Sequence, residues 1–217
     1  MSHTLSLHHL VRESDTTQTP SPAIIMLHGY GSNEEDLFSF ASELPKQYTI
    51  LSVQAPYRLE PFGHAWYAIN FDAEQGKWSD DAQAKESRDK ISVFIDEAIE
   101  AYQLDAGNVT LLGFSQGTIL SYAVALSYPE KVKNVIALSG YINEKILTAD
   151  YKSKNHKGLH IYASHGQVDQ VIPVEWAQRA PTFLKDLDID HLYEEFPVGH
   201  GVSPQNFYSF RNWLERH

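Results

Sequence analysis

No cysteine occurs among the 217 residues, which excludes disulfides, thiolate metal sites and a cysteine nucleophile. Positive charge is scarce as well: 17 lysines and arginines face 28 acidic residues, a formal net charge of −11. With no basic cluster, a nucleic-acid partner is not expected, and an anionic membrane surface is a poor electrostatic match. The acidic surplus reads as a solvated surface. No apolar run approaches the roughly 20 residues that span a bilayer, so stable membrane insertion is not expected. Met1 to Val11 lacks a basic region followed by an apolar one, so no signal peptide is read and the expected location is cytoplasmic. Internal repeats and a domain linker are also missing. The chain is therefore expected to form one domain over residues 1–217.

What the sequence does contain is a series of short apolar runs bounded by turn residues: Ala23 to Leu27, Thr49 to Val53, Val109 to Leu112, Val135 to Leu138 and Leu159 to Ala163. Near-continuous apolar character at this length predicts strands covered on both faces, as in a parallel sheet. Leu5, Leu7 and Val11 alternate more loosely and suit an edge strand. Between the runs lie helical patterns. Ile91, Phe94, Ile95, Ala98, Ile99 and Tyr102 share one face, with Glu86 and Lys90 able to pair on the other. Ser203-Pro204 is an N-cap and first-turn pair opening a helix to about Glu215. Strands alternating with helices predict an α/β fold, a mostly parallel central sheet flanked by helices. Glu13 to Ser21 reads as an exposed loop. Tyr57 to Asp81 is the longest stretch without a period and is rich in aromatics, a length that in compact domains usually serves function.

Gly113-Phe114-Ser115-Gln116-Gly117 falls between the strand ending at Leu112 and a helix-forming stretch from Thr118 to Tyr128. A serine on a sharp strand-to-helix turn, with glycines two before and two after it, is a nucleophile elbow. Serine needs a base to remove its proton and an acid to orient that base. In this arrangement the acid and then the histidine follow the serine along the chain. His200, in Gly199-His200-Gly201, lies just past the candidate strand Leu192 to Phe196, at the sheet edge where open α/β proteins build their sites. His191 opens that strand and should lie at the opposite edge. For the acid, Asp169 in His165-Gly166-Gln167-Val168-Asp169 is favoured over Glu144, while Asp186, Asp188 and Asp190 read as solvated. The backbone N–H groups of Gln116 and of Tyr30, in His28-Gly29-Tyr30-Gly31, are the candidate oxyanion donors.

These four segments, together with Ser32-Asn33-Glu34-Glu35-Asp36-Leu37 after the second glycine and the run to Pro173, resemble the phospholipase/carboxylesterase family of α/β hydrolases. That family includes bacterial carboxylesterases and acyl-protein thioesterases. The resemblance implies a single-domain α/β-hydrolase fold, a catalytic triad of Ser115, Asp169 and His200, oxyanion donors at Tyr30 and Gln116, and a homodimer. It also implies a serine esterase acting on small or medium-chain carboxylic esters, with thioesters or lysophospholipids as the alternative substrates; a non-catalytic hydrolase-like binding protein is the alternative from another class, and no triad member is missing from the sequence. Acyl-protein thioesterases tend to carry Trp-Phe-Asp where this chain has Trp66-Tyr67-Ala68, a departure that favours small esters.

Phe62, Trp66, Tyr67, Trp78 and Val171 are the candidate walls of a substrate pocket. The short interval between Leu138 and Leu159 leaves no room for a large lid. His156 and His160 are four apart, a metal-binding spacing on a helix, but Gly158 and the following strand break it. No metal and no cofactor are expected.

Overall fold

The computed structural model of the chain describes residues 4–17, 19–72 and 76–217. In chain order the strands are β1 (His9–Arg12), β2 (Ser21–Leu27), β3 (Thr49–Val53), β4 (Tyr57–Arg58), β5 (His64–Ala65), β6 (Ile69–Asp72), β7 (Gly76–Ser79), β8 (Leu104–Phe114), β9 (Asn134–Leu138), β10 (His160–Gly166) and β11 (Asp190–Phe196). The helices are α1 (Glu35–Phe38), α2 (Asp81–Tyr102), α3 (Gln116–Ser127), α4 (Val174–Ala177), α5 (Ala180–Asp186) and α6 (Pro204–Leu214).

Seven strands form one sheet in the order β1-β3-β2-β8-β9-β10-β11. Only β1 runs antiparallel to its neighbour; the other pairings are parallel. The period-two geometry of a strand explains why the inner runs are apolar throughout. Along β2, Ala23, Ile25 and Leu27 enter the core layer that holds Phe94, Ile95 and Leu120. Ile24 and Met26 point the other way, into the layer with Leu44, Phe210 and Trp213. The sheet is thus buried on both faces, with α2, α3 and α5 against one and α1 and α6 against the other.

Local chemistry sets the helix ends. The Asp80 carboxylate accepts from the N–H groups of Ala82 and Gln83 at the start of α2, and Gln103 ends that helix in the left-handed region at φ 52°. Ser203 caps α6 through the Asn206 N–H at 3.2 Å, with Pro204 in the first turn. Glu86 and Lys90 pair at 2.8 Å on the exposed side of α2.

The Tyr57–Asp81 stretch differs from the expectation of an irregular loop. Outside residues 73–75, it folds into two small antiparallel pairs, β4–β5 and β6–β7. Strands of two residues (β4, β5) and of four (β6, β7) are too short for a clear alternation to mark them. The connection from β1 to β2 is described except for Gln18, and Met1 to His3 also lie outside the described residues. Among the described residues no helix is long and apolar enough to cross a membrane.

Phe94 is fully buried between α2 and the sheet. Phe94→Ala is expected to lower the unfolding free energy by about 3–5 kcal/mol, measured as a fall in the urea midpoint with an unchanged slope. A loss below about 1 kcal/mol would mean that the α2 layer is not packed as described.

Candidate active site

β8 ends at Phe114 and α3 begins at Gln116, so the chain must reverse direction at Ser115. It does so at φ 56°, ψ −115°, a conformation that L residues rarely adopt, and holding it costs about 1–3 kcal/mol. The surroundings hold Ser115 there. Its N–H donates to the Leu138 carbonyl at 2.9 Å, and its own carbonyl accepts from Ile119 N–H at 3.1 Å. Tight packing under the turn explains Gly117: a Cβ there would lie 1.9 Å from the Leu27 carbonyl oxygen. Only glycine lets α3 start against the end of β2.

The acid and the base reach the serine from neighbouring strands. β10 and β11 pair in parallel up to Gly166 and Phe196, and their loops stay zipped beyond the sheet. Gln167 N–H donates to the Phe196 carbonyl at 2.8 Å, and Val168 N–H to the Val198 carbonyl at 3.2 Å. A Cβ at Gly166 would fall 2.2 Å from the Gly199 carbonyl oxygen, so the His200 loop crosses directly over this glycine. Held in this way, His200 Nδ1 donates to Asp169 Oδ2 at 2.6 Å, and His200 Nε2 lies 2.9 Å from Ser115 Oγ. The Phe114 ring packs beside the imidazole at 4.9 Å.

Asp169 is the most heavily bonded group of the three. Its Oδ1 accepts from the N–H groups of Val171 and Ile172 at 2.8 and 2.9 Å. Its Oδ2 takes the His200 bond and lies 3.3 Å from Nε2 of a second histidine, the fully buried His165. Burial opposes ionisation and is the largest single influence, yet the bonds from His200, Ile172 and Val171 together hold the carboxyl below its usual range. Asp169 is thus built to stay charged.

His165 was not singled out in the sequence as a site residue. Its Nε2–H points at the Ile172 carbonyl, 2.9 Å away, which ties the strand end to the loop that supplies both Asp169 donors. The His-Gly run before Asp169 is the only sequence signal for it. Glu144, the competing acid, accepts instead from the Tyr151 hydroxyl at 2.9 Å.

Gln116 and Tyr30 both line the cleft above Ser115. Gln116 is the first residue of α3, where a helix N–H has no intrahelical acceptor. The Tyr30 loop is braced by Gly31 N–H donating to the His64 carbonyl at 2.9 Å and His64 N–H donating to the Ser32 carbonyl at 2.8 Å.

Ser115 and His200 line a cavity of about 820 Å³, within the range of small-molecule sites. Tyr67 and Val171 are among its walls. Two other expected wall residues stand elsewhere. Trp66 is fully buried beneath the loop, its indole N–H donating to the His28 carbonyl at 2.9 Å. Phe62 is 79% exposed and does not line the cavity. The Trp78 side chain lies outside the described residues. Tyr141 and Trp176, in edge-to-face contact at 5.0 Å, take up the wall position that the sequence suggested for those aromatics. With Asn143 and Lys145 they also line an adjoining groove of about 370 Å³. Their sequence neighbourhoods carry no motif, so only the fold brings them to the cleft.

A strained serine at a strand-to-helix elbow, bonded to a histidine that is bonded to a carboxylate, defines a site of the serine α/β-hydrolase class. A model of the phospholipase/carboxylesterase family matches residues 10–217, and the chain belongs to that family. It is 24% identical over 221 residues to acyl-protein thioesterase 1 of Mycosarcoma maydis, covering 91% of each chain. It is 26% identical over 155 residues to a probable carboxylesterase of Oryza sativa subsp. japonica, covering 70% of this chain and spanning 58% of that relative. The solved structure of esterase PE8 superposes with a TM-score of 0.85 at 24% identity, covering 98% of this chain and 99% of the other, a likeness of fold.

A depressed native ionisation has a defined sign. The charged Asp169 contributes stability above its unfolded pKa of about 4, and this contribution disappears as pH falls through the lower native value. The stability difference between wild type and Asp169→Asn is therefore expected to shrink as pH drops from 6 to 3, followed by urea denaturation. A difference that stays constant over that range would refute the bonding pattern assigned to this carboxylate.

Proposed function

We propose that the chain hydrolyses small to medium-chain carboxylic esters through a covalent acyl-enzyme on Ser115. The observation that carries this reading is the unbroken hydrogen-bond line from Asp169 through His200 to Ser115 Oγ at the wall of an open cleft. His200 Nε2 takes the serine proton as Oγ attacks the ester carbonyl, and the charged Asp169 stabilises the imidazolium that forms. The N–H groups of Gln116 and Tyr30 receive the developing oxyanion, each donor worth on the order of 10²–10³ in rate. His200 then protonates the leaving alcohol. A water molecule deprotonated by the same imidazole releases the acid and restores the serine. Each proton in the cycle has a named donor and acceptor, so the scheme requires no metal or cofactor.

The name of the full-length Mycosarcoma relative favours thioester hydrolysis at the same site as the second reading. Matched oxygen and sulfur esters of one acyl chain, offered in competition, separate the two.

Hydrolysis of p-nitrophenyl acetate, butyrate and octanoate is the direct test. Ser115→Ala is expected to lower kcat by on the order of 10⁵–10⁶. Wild-type turnover is expected to fall on acidification, because a protonated His200 cannot act as base. A variant that keeps near-full turnover removes Ser115 from the mechanism. Failure of a fluorophosphonate to label Ser115 in the wild type would point instead to a binding protein.

A further inference from the structure

The sequence pairs His156 with His160 by spacing, and the structure separates them. His156 is buried, with Nε2 3.2 Å from the Leu126 carbonyl. His160 faces two residues from distant parts of the chain. It opens β10 and is the cross-strand partner of Asp190, which opens β11; His217, just past α6, comes over the same edge. His160 Nδ1 lies 3.0 Å from Asp190 Oδ2, and His217 Nε2 lies 3.9 Å from that oxygen. All three ligand atoms fall within 4.8 Å of one another, the only such group of three among the described residues.

The His217 ring is oriented by its own contacts. Its Nδ1–H donates to the Trp213 carbonyl at 2.9 Å. The ring stacks on the Trp213 indole at 4.2 Å and 22°, and the His217 carbonyl accepts from the Lys133 ammonium. With the proton on Nδ1, Nε2 presents its lone pair toward Asp190. Metal-bound histidines are fixed by the same kind of second contact. These contacts set the His217 Nε2 3.9 Å from the carboxylate that His160 already faces, so two imidazole nitrogens and one carboxylate oxygen share this edge.

We propose that His160, Asp190 and His217 bind one divalent transition-metal ion, zinc being the best match, with water completing the shell. Two imidazoles and one carboxylate suit zinc, nickel or copper, whereas magnesium and calcium prefer all-oxygen shells. Metal–ligand bonds of about 2.0–2.2 Å place tetrahedral ligand atoms ~3.4 Å apart, so atoms that lie within 4.8 Å of one another close onto a metal by an inward movement of the His217 ring. On binding, His160 Nδ1 releases to solvent the proton it shares with Asp190, and its lone pair goes to the metal. The site lies at the amino ends of β10 and β11, whereas Asp169 and His200 follow the carboxyl ends of the same strands. Its role is that of a clip joining both strands to the end of α6, and it stands independently of the proposed hydrolysis.

The test uses protein carrying no affinity tag, titrated with zinc chloride by calorimetry and thermal unfolding. One equivalent is expected to bind, raising Tm by about 5–10 °C at roughly 100 times the Kd. His160→Gln, Asp190→Asn and His217→Gln are each expected to weaken binding at least tenfold. Cobalt(II), which fills zinc sites, should give visible absorption bands in the wild type that His217→Gln abolishes. His217 lies outside the regular elements, so this variant is the one least able to disturb the fold. Absence of zinc binding, or affinity unchanged in Asp190→Asn and His217→Gln, overturns the proposal.

Discussion

The parallel register of β8, β10 and β11 is the constraint on which the site depends. Each strand ends at the same edge of the sheet, and each delivers one chemical group just beyond its last hydrogen bond. Ser115 follows β8, Asp169 follows β10, and His200 follows β11. A one-residue slip in a strand turns every side chain to the other face. Here a slip between β10 and β11 would also break the zipper from Gln167 and Val168 to Phe196 and Val198, and the Asp169–His200 bond with it. The pairing of β10 with β11 therefore does more than stabilise the sheet, because the same register fixes the geometry of the proposed triad.

The carboxylate illustrates how a buried charge is kept. Removing Asp169 from water disfavours its ionised form, and two backbone N–H groups with the His200 imidazole restore the balance. Two of these three donors, Val171 and Ile172, lie in the same short run as Asp169, so the loop largely solvates its own acid. The remaining bond goes to His200, the proposed base, whose cationic form this charge would stabilise in the proposed cycle.

Much of this was legible in the sequence because the signals were local. The Ser115 elbow lies within five consecutive residues, the inner strands are continuous apolar runs, and the Ser203-Pro204 helix start carries its own cap. What was not legible depends on long-range geometry. Trp66 has the composition of a pocket residue, but its indole N–H finds an acceptor at His28 and the ring is drawn under the loop. Tyr141 and Trp176 reach the cleft because the segment after β9 and helix α4 after β10 bring them there, a position that no spacing rule encodes. His165 was passed over because a histidine beside a glycine commonly marks only a turn. The grouping of His160, Asp190 and His217 required the strand register and the length of α6 together.

Gln116 links the elbow to the cleft wall. Its side-chain oxygen accepts from Trp66 N–H at 2.8 Å, and its side-chain amide donates to the Tyr67 carbonyl at 2.8 Å. The residue that follows Ser115 therefore grips the backbone at Trp66 and Tyr67. One side of the cleft and the proposed oxyanion donor form a single mechanical unit, in which a change of wall shape is transmitted to the reacting centre. Tyr141, in the segment after β9, and Trp176, in α4, make no side-chain hydrogen bond to Ser115 or Gln116 among the described residues. Under the proposed hydrolysis, specificity can diverge on that side of the cleft while the chemistry stays fixed, and the Trp66-Tyr67 side is the one where change in substrate and loss of rate are coupled.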